Sequence, residues 1–231
     1  MTPTASLGLR FVVGIGGLAI GPTLVFSLLR GSGLLAATDD TVVHMEQSLL
    51  CFGLAAAGVA AFAQLQPPGA PWRPLAPGDV AARYVPFVVV WLLALVGYLA
   101  VARAAGFEVP AQAQLRYLAA ADLARPGCWV AIATVVGFGP LAEEVVFRGF
   151  LQPALLAVMR PVPAIALASL VFGLAHTAPY TLPVAGLGAF FGWFAWRRSL
   201  GAAVLAHALH NAVTVLVTLL WPGHLDLLYP R

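Results

Sequence analysis

The second half of this 231-residue chain carries seven polar side chains in an otherwise apolar setting: Glu143, Glu144, Arg148, His176, His207, His210 and Asn211. As a set they contain what hydrolysis of an amide needs. A carboxylate can deprotonate water, and a histidine can share that proton or orient the water. A second histidine and an asparagine amide can donate hydrogen bonds to a developing oxyanion.

Spacing distributes these roles unevenly. In Leu141-Ala142-Glu143-Glu144-Val145-Val146-Phe147-Arg148, read as helix, Glu144 and Arg148 are i,i+4 with the acid first, the favourable order for pairing. Glu143 is turned by about 100° from Glu144 and faces another neighbour. A carboxylate left without a partner in apolar surroundings is the better base, which points to Glu143, with Glu144 and Arg148 as structural or electrostatic support. His176 closes the run Ser169–His176, where a lone histidine is more often a hydrogen-bonded interfacial residue than a catalytic one. His207 and Asn211 are i,i+4 and share a helix face, as catalytic donors or as polar glue between helices. His210 lies on another flank and is secondary, and His44 and His224 read as interface residues.

The elements that must position these groups are transmembrane helices. The chain is 61% hydrophobic and only 9% charged, with mean hydropathy +0.92. A soluble domain carries about a quarter charged residues, so lipid is the expected solvent. Apolar segments at Leu7–Leu29, Val42–Leu65, Tyr84–Ala105, Cys128–Val158, Pro163–His176, Leu182–Trp196 and Leu200–Trp221 predict an all-α, multi-pass bundle of about seven helices, six to eight. Leu7–Leu29 reads as a retained first helix, since its apolar run is longer than a signal-peptide core. Residues 1–127 form an N-terminal set of helices, and residues 128–221 a catalytic helical core, within one integral membrane unit.

Gln66–Arg83, rich in proline, reads as an exposed loop, and Phe107–Gly127 as an amphipathic stretch suited to the membrane interface. The net charge of +3 comes from 12 arginines and no lysine, scattered at helix ends, which excludes a nucleic-acid surface. Arginine counts on the two sides nearly balance and leave orientation open, with a lean toward an inside N-terminus. Cys51 and Cys128 read as inert small hydrophobes. The fourth segment, about 31 residues, would run roughly 46 Å against a core of about 30 Å, so it tilts, is partly interfacial or bends at Pro140. A bend there frees backbone groups and admits water near the glutamates. Counted from straight helix ends, His176 and Glu143 fall nearer opposite faces, and the site forms only if this segment tilts, breaks or starts later.

The residues resemble a known family. Glu143-Glu144-x-x-x-Arg148 followed by Gly149, then Phe172-x-x-x-His176, then His207-x-x-x-Asn211, are similar to the three ordered motifs of the CAAX protease and bacteriocin-processing (Abi, CPBP) intramembrane proteases, which include the type II CAAX prenyl endopeptidases. The resemblance covers about residues 128–215. It implies that Glu143 activates water with His176 assisting, that His207 and Asn211 form the oxyanion hole, and that Glu144 and Arg148 support them. It implies a glutamate-type mechanism with no cofactor, although one glutamate and two histidines are also compatible with zinc. The expected partners are a peptide or protein substrate and the lipid bilayer. Signatures of other intramembrane proteases are missing, with no GxSG, GxGD or HExxH.

Two other classes compete with a membrane peptidase: a non-enzymatic scaffold or bacteriocin-immunity-type protein that keeps the cluster for structure, and a transporter using Glu143 as proton carrier. An intact catalytic set favours the enzyme, and the missing inverted repeats disfavour the transporter. Arginine used without lysine, with abundant alanine, suggests a GC-rich bacterial genome and an inner-membrane location, and leaves open whether the substrate is prenylated.

Overall fold

A computed structural model describes residues 77–124, 126–176 and 178–229. The expected segments Leu7–Leu29 and Val42–Leu65, with Cys51 and His44, lie outside the described residues. Among these, every regular element is helical and none is a strand. The order is α1 (Pro77–Ala104), α2 (Ala113–Ala119), α3 (five consecutive helical stretches from Pro126 to Leu156), α4 (Pro161–Leu174), a 3₁₀ turn (Ala178–Tyr180), α5 (Thr181–Arg197), α6 (Leu200–Leu220) and α7 (His224–Leu228). Gly78–Ala104, Gly127–Leu156 and Leu200–Leu220 are long and apolar enough to cross a membrane. The fold is a helical membrane bundle.

One expectation is corrected at the start of α1. Gln66–Arg83 is not loop throughout, because the helix begins at Pro77 and takes in Asp79 and Arg83. Proline suits a first helical position, and an acid in the first turn complements the helix dipole. The proline-rich composition masked that start signal.

Helix α3 is regular over Pro126–Ala133, widens to π geometry over Thr134–Phe138, returns to α over Gly139–Glu144, widens again over Val145–Leu151 and ends in Gln152–Leu156. The first wide turn has an evident cause. Pro140 has no N–H, and in a regular helix its ring would press on the carbonyl four residues earlier. Lengthening the preceding turn by one residue relieves that clash. Both glutamates sit in the six-residue α stretch between the two wide turns.

Helices α4 and α5 pack closely because small residues line their contact. A Cβ at Gly173 would run into the Thr181 carbonyl and Ala185, and one at Gly188 would lie 3.3 Å from Ser169 Cα. Helix α1 is tied to α5, to the 3₁₀ turn before it and to α6 by three aromatics seven residues apart. The Tyr84 hydroxyl is 3.2 Å from His210 Nδ1, Trp91 Nε1 donates to the Pro183 carbonyl at 3.0 Å, and the Tyr98 hydroxyl donates to the Pro179 carbonyl at 2.7 Å. Seven residues are close to two turns, so all three tips point one way. In α2, Leu118 is buried with Cys128, Ala131 and Val215, so part of the amphipathic stretch faces protein rather than lipid headgroups.

Candidate active site

The buried centre of the bundle is Glu144. Its side chain is 0% exposed, and its Oε1 accepts from Arg148 Nη1 at 3.0 Å and from His207 Nδ1 at 2.9 Å. The i,i+4 pairing expected from the sequence is present. The histidine is an addition: Glu144 holds α6 to α3 as well as stabilising its own helix. A carboxylate only accepts, so Nδ1 of His207 carries the proton in this bond, and Nε2 is turned outward. Phe191 stacks on the same imidazole, ring centres 4.4 Å apart at 16°.

Arg148 is equally enclosed. Nη2 donates to the Gly188 carbonyl on α5 at 2.8 Å, and the guanidinium carbon lies 4.3 Å from the centre of the Phe172 ring. One turn on, Gln152 Nε2 donates to the Gly192 carbonyl at 2.9 Å. The two side chains thus form consecutive rungs onto the backbone of α5. Both rungs need glycine, since a Cβ at Gly188 would lie 3.0 Å from Arg148 Nη2 and one at Gly192 would lie 2.6 Å from Gln152 Oε1.

Glu143 has a different environment. Its side chain is 34% exposed, and its Oε2 lies 3.9 Å from His207 Nε2. That gap exceeds a direct hydrogen bond, so the two groups face each other without being bonded. Glu143 is therefore accessible, whereas its spacing predicts a carboxylate in apolar surroundings.

His176, half-buried at the end of α4, has Nδ1 2.8 Å from the Phe172 carbonyl. A carbonyl accepts, so Nδ1–H donates and Nε2 keeps its lone pair. Phe172 links the histidines, its ring centre lying 4.9 Å from His176 and 6.0 Å from His207. It also carries the guanidinium of Arg148. In the sequence Phe172 is a motif position without a role, and its contacts supply one.

Helix α4 is short. A 14-residue helix is about 21 Å long, short of a hydrocarbon core of about 30 Å. It starts beside the end of α3, and His176 follows its last residue by two positions.

Asn211 behaves differently from its neighbour one turn away. Its Nδ2 donates to the Val135 carbonyl in the first wide turn of α3, at 2.8 Å. His210, one residue before it, is buried against Tyr84 and Trp91. His224 is buried with Nδ1 2.7 Å from the Trp221 carbonyl, a helix-end contact.

Residues 125–213 match the family model described as type II CAAX prenyl endopeptidase Rce1-like. The match spans α3 to the middle of α6, including Glu143, Glu144, Arg148, His176, His207 and Asn211, and leaves α1 and α2 outside. Over that segment the chain is similar to a family of membrane proteases. Searches of curated proteins and of solved structures give no match.

Proposed function

We propose that this protein is an intramembrane endopeptidase that hydrolyses a peptide bond in a membrane-associated protein or peptide. The observation that carries the reading is the arrangement around His207. Its Nδ1 is fixed by the buried Glu144 at 2.9 Å, and its Nε2 faces the accessible Glu143 at 3.9 Å. A buried carboxylate that orients a histidine, which then presents its far nitrogen to the reacting groups, is a recurring arrangement in acyl transfer.

In the proposed reaction Glu143 removes a proton from water while Nε2 of His176 accepts a hydrogen bond from that water and shares the charge. The oxygen attacks the peptide carbonyl, and the oxyanion is met by His207 and Asn211. With Nδ1 donating to Glu144, His207 can donate through Nε2 once it is protonated, and Glu144 balances the added charge. Asn211 has a second amide N–H beyond the one given to Val135. The proton held by Glu143 then passes to the leaving amine. No metal enters these steps as proposed. The substrate is a peptide or protein at the membrane, and the arginine-rich, lysine-free composition favours a bacterial inner membrane.

Purified protein in liposomes, presented with membrane-tethered peptide reporters, tests the reading. Glu143→Gln should fold and melt as the parent does and lose cleavage by at least about 10²-fold, the usual contribution of a general base. A folded Glu143→Gln protein that cleaves at the parent rate would remove Glu143 as base. Cleavage that disappears on chelation and returns with zinc would overturn the metal-free route.

A further inference from the structure

Asn211 spends an amide proton on a backbone carbonyl, and that carbonyl has a particular history. In the wide turn of α3 the Gly139 N–H bonds to the Thr134 carbonyl, five residues back. In the same register the next carbonyl, that of Val135, should receive the N–H of residue 140. Residue 140 is proline and has none. A carbonyl left without a donor in apolar surroundings is costly. The Asn211 amide reaches it from α6 at 2.8 Å.

We infer that Asn211 is a positioning residue: its amide takes up the carbonyl orphaned by Pro140, and so fixes the turn that carries Glu143 and Glu144 against α6. This rests on the endopeptidase reading for its functional consequence, and adds to the oxyanion role a second duty for the same side chain. The stretch Gly139–Glu144 is then held at both ends. Asn211 ties its N-terminal side to α6, and Arg148 ties its C-terminal side to α5 through the Gly188 carbonyl. Gly139 belongs to the same device, since a Cβ there would lie 3.0 Å from the Thr134 carbonyl. Pro140 and Asn211, 71 positions apart, thereby form one functional pair.

The test is a double-mutant cycle on the full chain in detergent and in liposomes, using Asn211→Ala, Pro140→Ala and the double variant. Alanine at 140 restores the missing N–H, so the double variant should recover part of what Asn211→Ala loses. In melting, the fall caused by Asn211→Ala should shrink when Pro140 is also replaced. In cleavage, Asn211→Ala should lower kcat on the order of 10²-fold with little change in KM, as a misplaced turn does, and Pro140→Ala should restore part of that kcat. Asn211→Asp keeps the shape but loses the donor, and should behave like Asn211→Ala. Losses that simply add in both measurements would overturn the pairing. If Asn211→Ala does not fold, a double variant that folds supports the pairing, and one that fails beside a well-folded Pro140→Ala overturns it. Should no protein, parent included, cleave any reporter, the endopeptidase reading fails while the melting cycle still decides the pairing.

Discussion

Two places in this molecule carry the same pattern, an acid four residues before an arginine on one helix, joined by a third basic group from a neighbouring element. At the start of α1, Asp79 pairs with Arg83, and Arg198 from the end of α5 reaches Asp79 at 3.1 Å. In the middle of α3, Glu144 pairs with Arg148, and His207 from α6 reaches Glu144 at 2.9 Å. The first three side chains are 34%, 36% and 47% exposed, the second three 0%, 0% and 8%. Where water competes, such a pair contributes about 0–1 kcal/mol. Where water is excluded, the charges are tolerable only together, and every lost partner leaves a charge stranded. Identical spacing thus produces a surface clasp in one place and an obligatory cluster in the other.

The sharpest way to break that comparison is Arg148→Ala. It strands Glu144, vacates the Gly188 carbonyl and removes the cation from the Phe172 ring. The expected loss is about 3–5 kcal/mol, read as a large fall in melting temperature in detergent or as failure to fold. Arg148→Lys should recover little, because an ammonium cannot hold Glu144 and the Gly188 carbonyl with one planar fork. An Arg148→Ala protein that melts with the parent would reduce the buried cluster to the standing of the surface one.

A smaller effect contrasts the two regions through one type of substitution. In Gly188→Ala the added methyl would lie 3.0 Å from both Arg148 Nη2 and the Phe172 ring, and 3.3 Å from Ser169 Cα. Overpacking of that kind costs about 1–3 kcal/mol. At Gly78, beside Asp79, a Cβ would meet nothing within 4 Å. There alanine should be neutral or raise stability by up to about 1 kcal/mol through helix propensity. Equal melting shifts for the two variants would mean that α5 does not approach Arg148 as closely as described.

Helical periodicity alone exposes the Glu144–Arg148 pair, the separate aim of Glu143 and the shared face of His207 and Asn211, because each depends only on positions within one turn. The five apolar segments from Tyr84 onward correspond to α1, α3, α4, α5 and α6 for the same reason. What the sequence hides depends on contacts between helices. His207 and Asn211 share a face, yet one meets a carboxylate and the other a backbone carbonyl, since the wide turn changes what α3 offers one turn along. Pro140 is the only trace of that turn in the sequence. Glycines 188 and 192 give no signal of their own in an apolar helix, and only the side chains lodged against them explain them. The spacing of Tyr84, Trp91 and Tyr98 is visible in the sequence, but the carbonyls they reach are not.

The smallest expected effect lies at the exposed cluster and is the one best suited to sharpen the contrast. Asp79→Ala removes the acid that both Arg83 and Arg198 address, yet those arginines remain hydrated, so the loss should be no more than about 1 kcal/mol. Salt discriminates further. At about 1 M salt the screening length falls to roughly 3 Å, which weakens interactions among exposed charges and leaves enclosed ones nearly unchanged. The parent and Asp79→Ala should therefore converge in melting temperature as salt rises, while the deficit of Arg148→Ala persists. A gap at Asp79 that is large and insensitive to salt would mean that the end of the bundle excludes water as the middle does. The difference between the clusters would then lie in their partners and not in their exposure.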